Sequence, residues 1–132
     1  MSIANISAAL EKKLAALGPF ATAAENVVYA PVNGTPYQIL NLLINNPVDH
    51  AVNFDINEQR GIFQISLMYP LGVGRGAAQY RAQAISAHFA PAQDLIEAGT
   101  KVEIRQTVKI GQGYEDEGRW RVPVSVYWNS FS

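Results

Sequence analysis

The segment Gly72-Val73-Gly74-Arg75-Gly76-Ala77 lies between a strand-like and a helix-like stretch, and Gly72, Gly74 and Ala77 satisfy the pattern G-x-G-x-x-A. A turn of this kind can offer free backbone N–H groups to a phosphate at the start of a helix. Its setting argues against that use. A dinucleotide fold needs a fully buried first strand opening a βαβ unit, then an acid for the ribose. Here the preceding strand carries Gln64 and Ser66 and sits mid-chain, and Glu103 and Arg105 fall mid-strand on a polar face. The segment therefore reads as a strand-to-helix turn with Arg75 free to make a contact. There are two histidines, His50 and His88. Asp49 and Asp55 flank the first, and the second lies at the edge of a helical apolar stripe. Neither belongs to an H-x-x-H or H-E-x-x-H spacing, so no metal site is expected. Ser66 lies within a strand and outside any G-x-S-x-G elbow. Glu115-Asp116-Glu117 is a poor metal site, because adjacent acids on an extended chain point in different directions. Cysteine is absent, which removes disulfides, thiolate sites and cysteine catalysis. No catalytic, cofactor-binding or metal-binding residue is assigned, and no cofactor is expected.

The elements that position these residues follow from periodicity. Ile3, Ile6, Leu10, Leu14 and Leu17 form one helical stripe, ended by Gly18-Pro19. A second helix runs from about Ala77 to Phe89, with Ala78, Ala82, Ile85 and Phe89 inward. Val27-Val28-Tyr29 suits a short strand, Pro31 to Pro36 a turn, and Tyr37 to Ile44 a strand stopped by Asn45-Asn46-Pro47. Val48 to Arg60 has no clean period. Gly61 to Tyr69 is a strand with Phe63, Ile65, Leu67 and Tyr69 on one face. Thr100 to Ile110 alternates, as does Trp120 to Trp128, where Trp120, Val122, Val124, Val126 and Trp128 share a face. The connector Gly111 to Gly118 between them reads as a long, acidic hairpin tip. The expected fold is α+β: two amphipathic helices on one face of a mainly antiparallel sheet of four or five strands, in one domain spanning residues 1–132.

Composition bounds the partners. Charged residues make up 16 % and hydrophobic residues 48 %, which excludes intrinsic disorder and leaves a charge-poor surface suited to protein contacts. Ten basic residues balance eleven acidic ones, net −1, without the positive excess of a DNA-wrapping or polybasic membrane protein. No apolar run approaches the ~18 residues of a membrane span, and no signal pattern opens the chain. Arg75, Tyr80 and Tyr127 are candidate contact residues, the two tyrosines as interface anchors. Pro123 removes a ladder donor, so its strand lies at an edge or is bulged there. An edge there would carry Arg121, Ser125 and Tyr127 on its outer face and would call for cover from another subunit.

The order of sequence words adds a resemblance. Glu25-Asn26-Val27-Val28-Tyr29-Ala30-Pro31 is followed by Gly34-Thr35-Pro36-Tyr37, then by Arg60-Gly61-Ile62-Phe63-Gln64-Ile65, Tyr69-Pro70-Leu71-Gly72, Gly74 and a helix ending in Phe89. Val122-Pro123-Val124-Ser125-Val126 closes the set. From Asn26 to Val126 the chain resembles the tail terminator proteins of long-tailed bacteriophages, related to minor tail protein U. Nothing is carried over for Asn45 to Glu58 or for the hairpin tip.

The resemblance implies an α+β subunit of a six-membered ring. Such a ring caps the tail tube, ends its polymerisation and meets the head-completion protein, without catalysis. It implies a place in the virion tail or neck, assembly in the host cytoplasm, DNA passing through without specific binding, and no membrane. In that setting Glu115, Asp116 and Glu117 form a candidate lumen or partner loop, mobile in the free subunit. Arg75, Tyr80, Arg121, Pro123, Ser125 and Tyr127 are the candidate subunit contacts, meeting head to tail. Two other readings stay open: another head–tail connector or neck-completion protein, and a small-ligand-binding or enzymatic α+β domain using the glycine turn.

Overall fold

Helix α1 (Ile3–Ala15) buries the expected stripe, Ile6, Leu10 and Leu14. Lys12 and Lys13 occupy its last turn, where cations suit the carbonyl end. Bonds from Leu17 N–H to Leu14 O and Gly18 N–H to Ala15 O tighten the exit, and Gly18 takes φ 127°. Helix α2 (Gly76–His88) puts Ala78, Ala82 and Ile85 against the sheet, and Phe89, which closes it, is also fully buried. Small alanines let this helix approach closely.

The computed structural model describes residues 3–18, 20–24, 30, 34–44, 48–49 and 57–131. The expected strand at Val27–Tyr29, the turn residues Pro31–Asn33, the stop at Asn45–Pro47, and His50 and Asp55 lie outside the described residues.

The strands are β1 (Thr22–Ala23), β2 (Tyr37–Ile44), β3 (Val48–Asp49), β4 (Asn57–Pro70), β5 (Asp94–Glu97), β6 (Thr100–Ile104), β7 (Lys109–Ile110), β8 (Tyr114–Asp116) and β9 (Arg119–Phe131). They form one nine-stranded sheet in the order β1-β2-β4-β9-β6-β5, with β3 beside β4, and β7 and β8 beside β9. The α+β class holds, but the sheet is larger than four or five strands. It is also mixed, because β1 runs parallel to β2. The extra strands are two to four residues long, too short to show a period.

The spine is the antiparallel pair β4–β9, in register from Glu58↔Phe131 to Pro70↔Arg119. Strand β4 begins before Gly61, and its Arg60–Asn57 end continues the ladder. Along β4 and β9 alternate residues face the helices: Phe63, Ile65 and Leu67 beside Val122, Val124, Val126 and Trp128, in one cluster with both helical stripes.

Three further expectations are corrected. Thr100 to Ile110 is two strands. Arg105 N–H bonds Tyr127 O, and the next β9 pairing is Lys109↔Ser125, so four residues span a gap that β9 crosses in two. The Gly111–Gly118 connector is not a long tip. Strand β8 pairs with β9 from Tyr114↔Arg121 to Asp116↔Arg119, leaving a two-residue turn, Glu117–Gly118, with φ 50° and 79°. Those positive angles at both positions match a type I′ hairpin turn. Finally, Pro123 is not at an edge: β9 has β4 on one flank and β6, β7 and β8 on the other. The bulge alternative is the outcome. Ile110 pairs with Val124 and Tyr114 with Arg121, so three residues on one side face two on the other. Pro123 O accepts from Gly111 N–H at 2.8 Å, so its missing N–H faces this bulge and costs no bond to β4.

Candidate functional site

The sheet face opposite the helices carries no covering element among the described residues. It presents Leu43, Ile62, Gln64, Lys109, Pro123, Ser125 and Tyr127 around a shallow depression of about 370 Å³. Of the expected contact residues, Arg121, Pro123, Ser125 and Tyr127 share this face, since they alternate with the core residues of β9. Arg121 is committed within the subunit: Nη1 donates to Asp116 Oδ2 at 2.7 Å and Nη2 to Ser66 Oγ at 3.0 Å. The Arg105 guanidinium lies 5.6 Å from the Tyr127 ring centroid, within the range of a cation–π contact.

The acidic run divides between faces as an extended strand requires. Asp116 pairs with Arg121, while Glu115 sits opposite Trp120 on the helix side and Glu117 occupies the turn. Gly111 and Gly113 serve packing. A Cβ on Gly111 would lie 2.7 Å from Pro123 Cγ, and one on Gly113 would lie 2.5 Å from Trp120 Cζ2. Both glycines let a bulky partner on β9 lie flat against the bulge.

On the helix side Tyr80 is 78 % exposed, on the opposite surface from Tyr127. Arg75 is exposed at the start of α2 and makes no side-chain cap. Gly72 and Gly74 take φ 83° and 78°, the left-handed conformation the turn needs. The hollow beside them is apolar: Pro70, Leu71, Gly72, Gly74, Arg75 and Trp120 enclose about 480 Å³. Arg75 is its sole lining cation, a lining unlike a phosphate cradle. Leu71 (43 %) and Val73 (59 %) stand exposed there. Sequence reasoning missed this hollow, although two aliphatic residues inside a glycine-rich turn were its signal.

Other chemistry-bearing groups are structural. His88 Nε2–H donates to the Lys13 carbonyl, tying α2 to the end of α1. Ser66 is buried on the opposite face, where its hydroxyl accepts from Arg121 Nη2, so it does not meet His88. Arg81 stacks 4.3 Å from the Phe20 ring centroid and donates to Gln38 Oε1 at 3.2 Å, locking the β1 approach against α2. Burial pushes the Tyr69 phenol up, an effect partly countered by the Arg81 charge. Among the described residues no group of three His, Cys, Asp or Glu could hold a metal ion, and no helix is long and apolar enough to cross a membrane.

The sequence profile described as phage tail terminator protein matches residues 5–128. The chain belongs to the phage tail terminator family. One solved structure, 25 % identical, covers 98 % of this chain and 96 % of its own with a TM-score of 0.80. A chain from the virion of a native gene transfer agent particle shares the fold at 18 % identity and a TM-score of 0.64, covering 98 % of both chains. No curated protein matches the chain. Membership in the terminator family makes this a structural protein of a phage tail.

Proposed function

We propose that this terminator-family chain forms a ring, of six subunits as in the phages it resembles, that seats on the end of the tail tube. The ring stops addition of tube protein and gives the head-completion protein its landing surface. Family membership over residues 5–128 carries this reading. The geometry supports it, because the open sheet face and the Tyr80 side of α2 are two different surfaces on opposite sides of one subunit. A head-to-tail contact needs two such surfaces and closes into a ring when its rotation permits. Its work is non-catalytic. The acids Glu115 and Glu117 face the duplex if the β8–β9 turn reaches the lumen, and their charge keeps DNA from sticking. Assembly takes place in the host cytoplasm before the virion is complete.

Electron microscopy of purified tail tubes polymerising with and without this chain is the test. Tubes of uniform length bearing an end ring are expected. Rings that bind head connectors while tubes keep growing would move the chain to the neck. Micromolar binding of ATP or NAD, lost in Arg75→Ala, would instead return the glycine turn to ligand chemistry.

A further inference from the structure

Two features remain unused, and they lie at opposite ends of β9. At one end is the apolar hollow floored by Trp120 and rimmed by Leu71 and Arg75. Trp120 Nε1 has no hydrogen-bond partner, and no carboxylate pairs with Arg75 among the described residues. At the other end, beyond β6, strand β5 ends the sheet order. Its Ile96 is 73 % exposed, close to the exposure of Tyr80.

Register places Ile96 opposite Lys101 and Asp94 opposite Glu103, all on the open-face side. Lys101 Nζ sits 3.4 Å from both Asp94 Oδ2 and Glu103 Oε1. Two carboxylates and one ammonium leave this knob with a net negative charge. In the two-residue turn after β5, Glu97 and Thr100 form the hydrogen-bonded pair, so by alternation the N–H and C=O of Asp94 and Ile96 point away from β6. The strand thus offers an aliphatic knob, a negative rim and an unused backbone ladder. The hollow offers an apolar floor and a single cation.

We propose that the subunit contact of the ring is this knob in this hollow: Ile96 of one copy enters the Leu71–Trp120 hollow of the next, with Arg75 facing Asp94. The inference rests on the ring reading and names its contact. Hollow and knob are separated along β9 by about 25–30 Å at strand rise, and they occupy opposite sides of the sheet. The contact is therefore heterologous, and each copy keeps one knob and one hollow for its two neighbours. The charge pairing sets the register of docking, and apolar burial in the hollow supplies the affinity.

The test uses sedimentation velocity of the full chain, free and with purified tail tubes. Ile96→Glu removes the knob and Leu71→Glu removes the hollow. Both positions are exposed, so each variant keeps the wild-type circular dichroism spectrum. Each alone associates at least about tenfold more weakly than wild type. Mixed together, they form one intact contact and stop at a heterodimer, because the knob-dead and hollow-dead ends cannot extend it. Arg75→Glu weakens association, and adding Asp94→Lys restores it. Variants that assemble like wild type, or a mixture that stays monomeric, overturn this contact while leaving the ring reading intact. A wild-type chain that stays monomeric both free and on tubes takes down the ring reading with it.

Discussion

At the scale of single residues, Gly61 shows how little freedom the sheet leaves. A Cβ there would lie 2.1 Å from Leu43 O, with Trp128 Cζ2 at 3.0 Å. The obstacle on one side is backbone, which cannot swing aside. Gly61→Ala is expected to cost about 2–4 kcal/mol, read as a lowered urea midpoint with the slope unchanged. Tyr69 gives a pH-dependent counterpart. Its phenol is held above its ordinary value near 10, chiefly by burial, so the folded chain keeps the proton after the unfolded chain has released it. The contribution of this group is fully present below about pH 10 and declines as pH rises through the elevated folded value. Tyr69→Phe keeps the ring against Phe20, whose centroid lies 6.4 Å away. Urea midpoints from about pH 8 to about pH 11.5 should fall less steeply in that variant. Parallel alkaline limbs would show that the phenol does not govern this range.

At the scale of elements, the β8–β9 hairpin separates what the sequence tells from what it hides. The alternations of Gly61–Tyr69 and Trp120–Trp128 and the stripes of both helices were legible, because each buries one face over several turns or pleats; Tyr37–Ile44 was legible as an apolar run between turn residues. Pro123 was half legible. It signalled a lost donor, but whether an edge or a bulge absorbs that loss depends on Gly111–Gly113, which are distant neighbours rather than local sequence. Those glycines read as flexibility, yet they are close-approach positions for Pro123 and Trp120. Strand β5 was invisible because an edge strand with alternating exposed residues has no buried stripe to count. The same hairpin carries a prediction. Flanking a two-residue turn, Asp116↔Arg119 and Tyr114↔Arg121 are hydrogen-bonded pairs and Glu115↔Trp120 is not. Amide exchange in the free subunit should therefore be slow at Tyr114 and Asp116 and fast at Glu115. Uniformly fast exchange across the three would return the tip to the mobile loop that its composition suggests. Asp116→Asn removes the charge facing Arg121 and should cost about 0.5–1.5 kcal/mol in a half-exposed pair.

At the scale of the whole molecule, all of the helical burial lies on one side of the sheet, and partners are left the open face, the two ends and the outer surface of α2. Tyr127→Asp places a charge on the open face without touching the core cluster. The circular dichroism spectrum should stay unchanged while light scattering behind size exclusion shows weaker assembly or weaker tube capping. A variant indistinguishable from wild type in both would exclude the open face from every contact of the particle. The β4–β9 spine carries a different consequence. Its partners lie roughly fifty to seventy residues apart in sequence, so the loop-closure cost falls early and its reward late. Folding is then expected to be slow for the size of the chain, and β4 waits without its main neighbour until β9 has been synthesised. An incomplete nascent chain has no finished sheet to present, so a stalled product cannot occupy a tube end that a complete subunit should close.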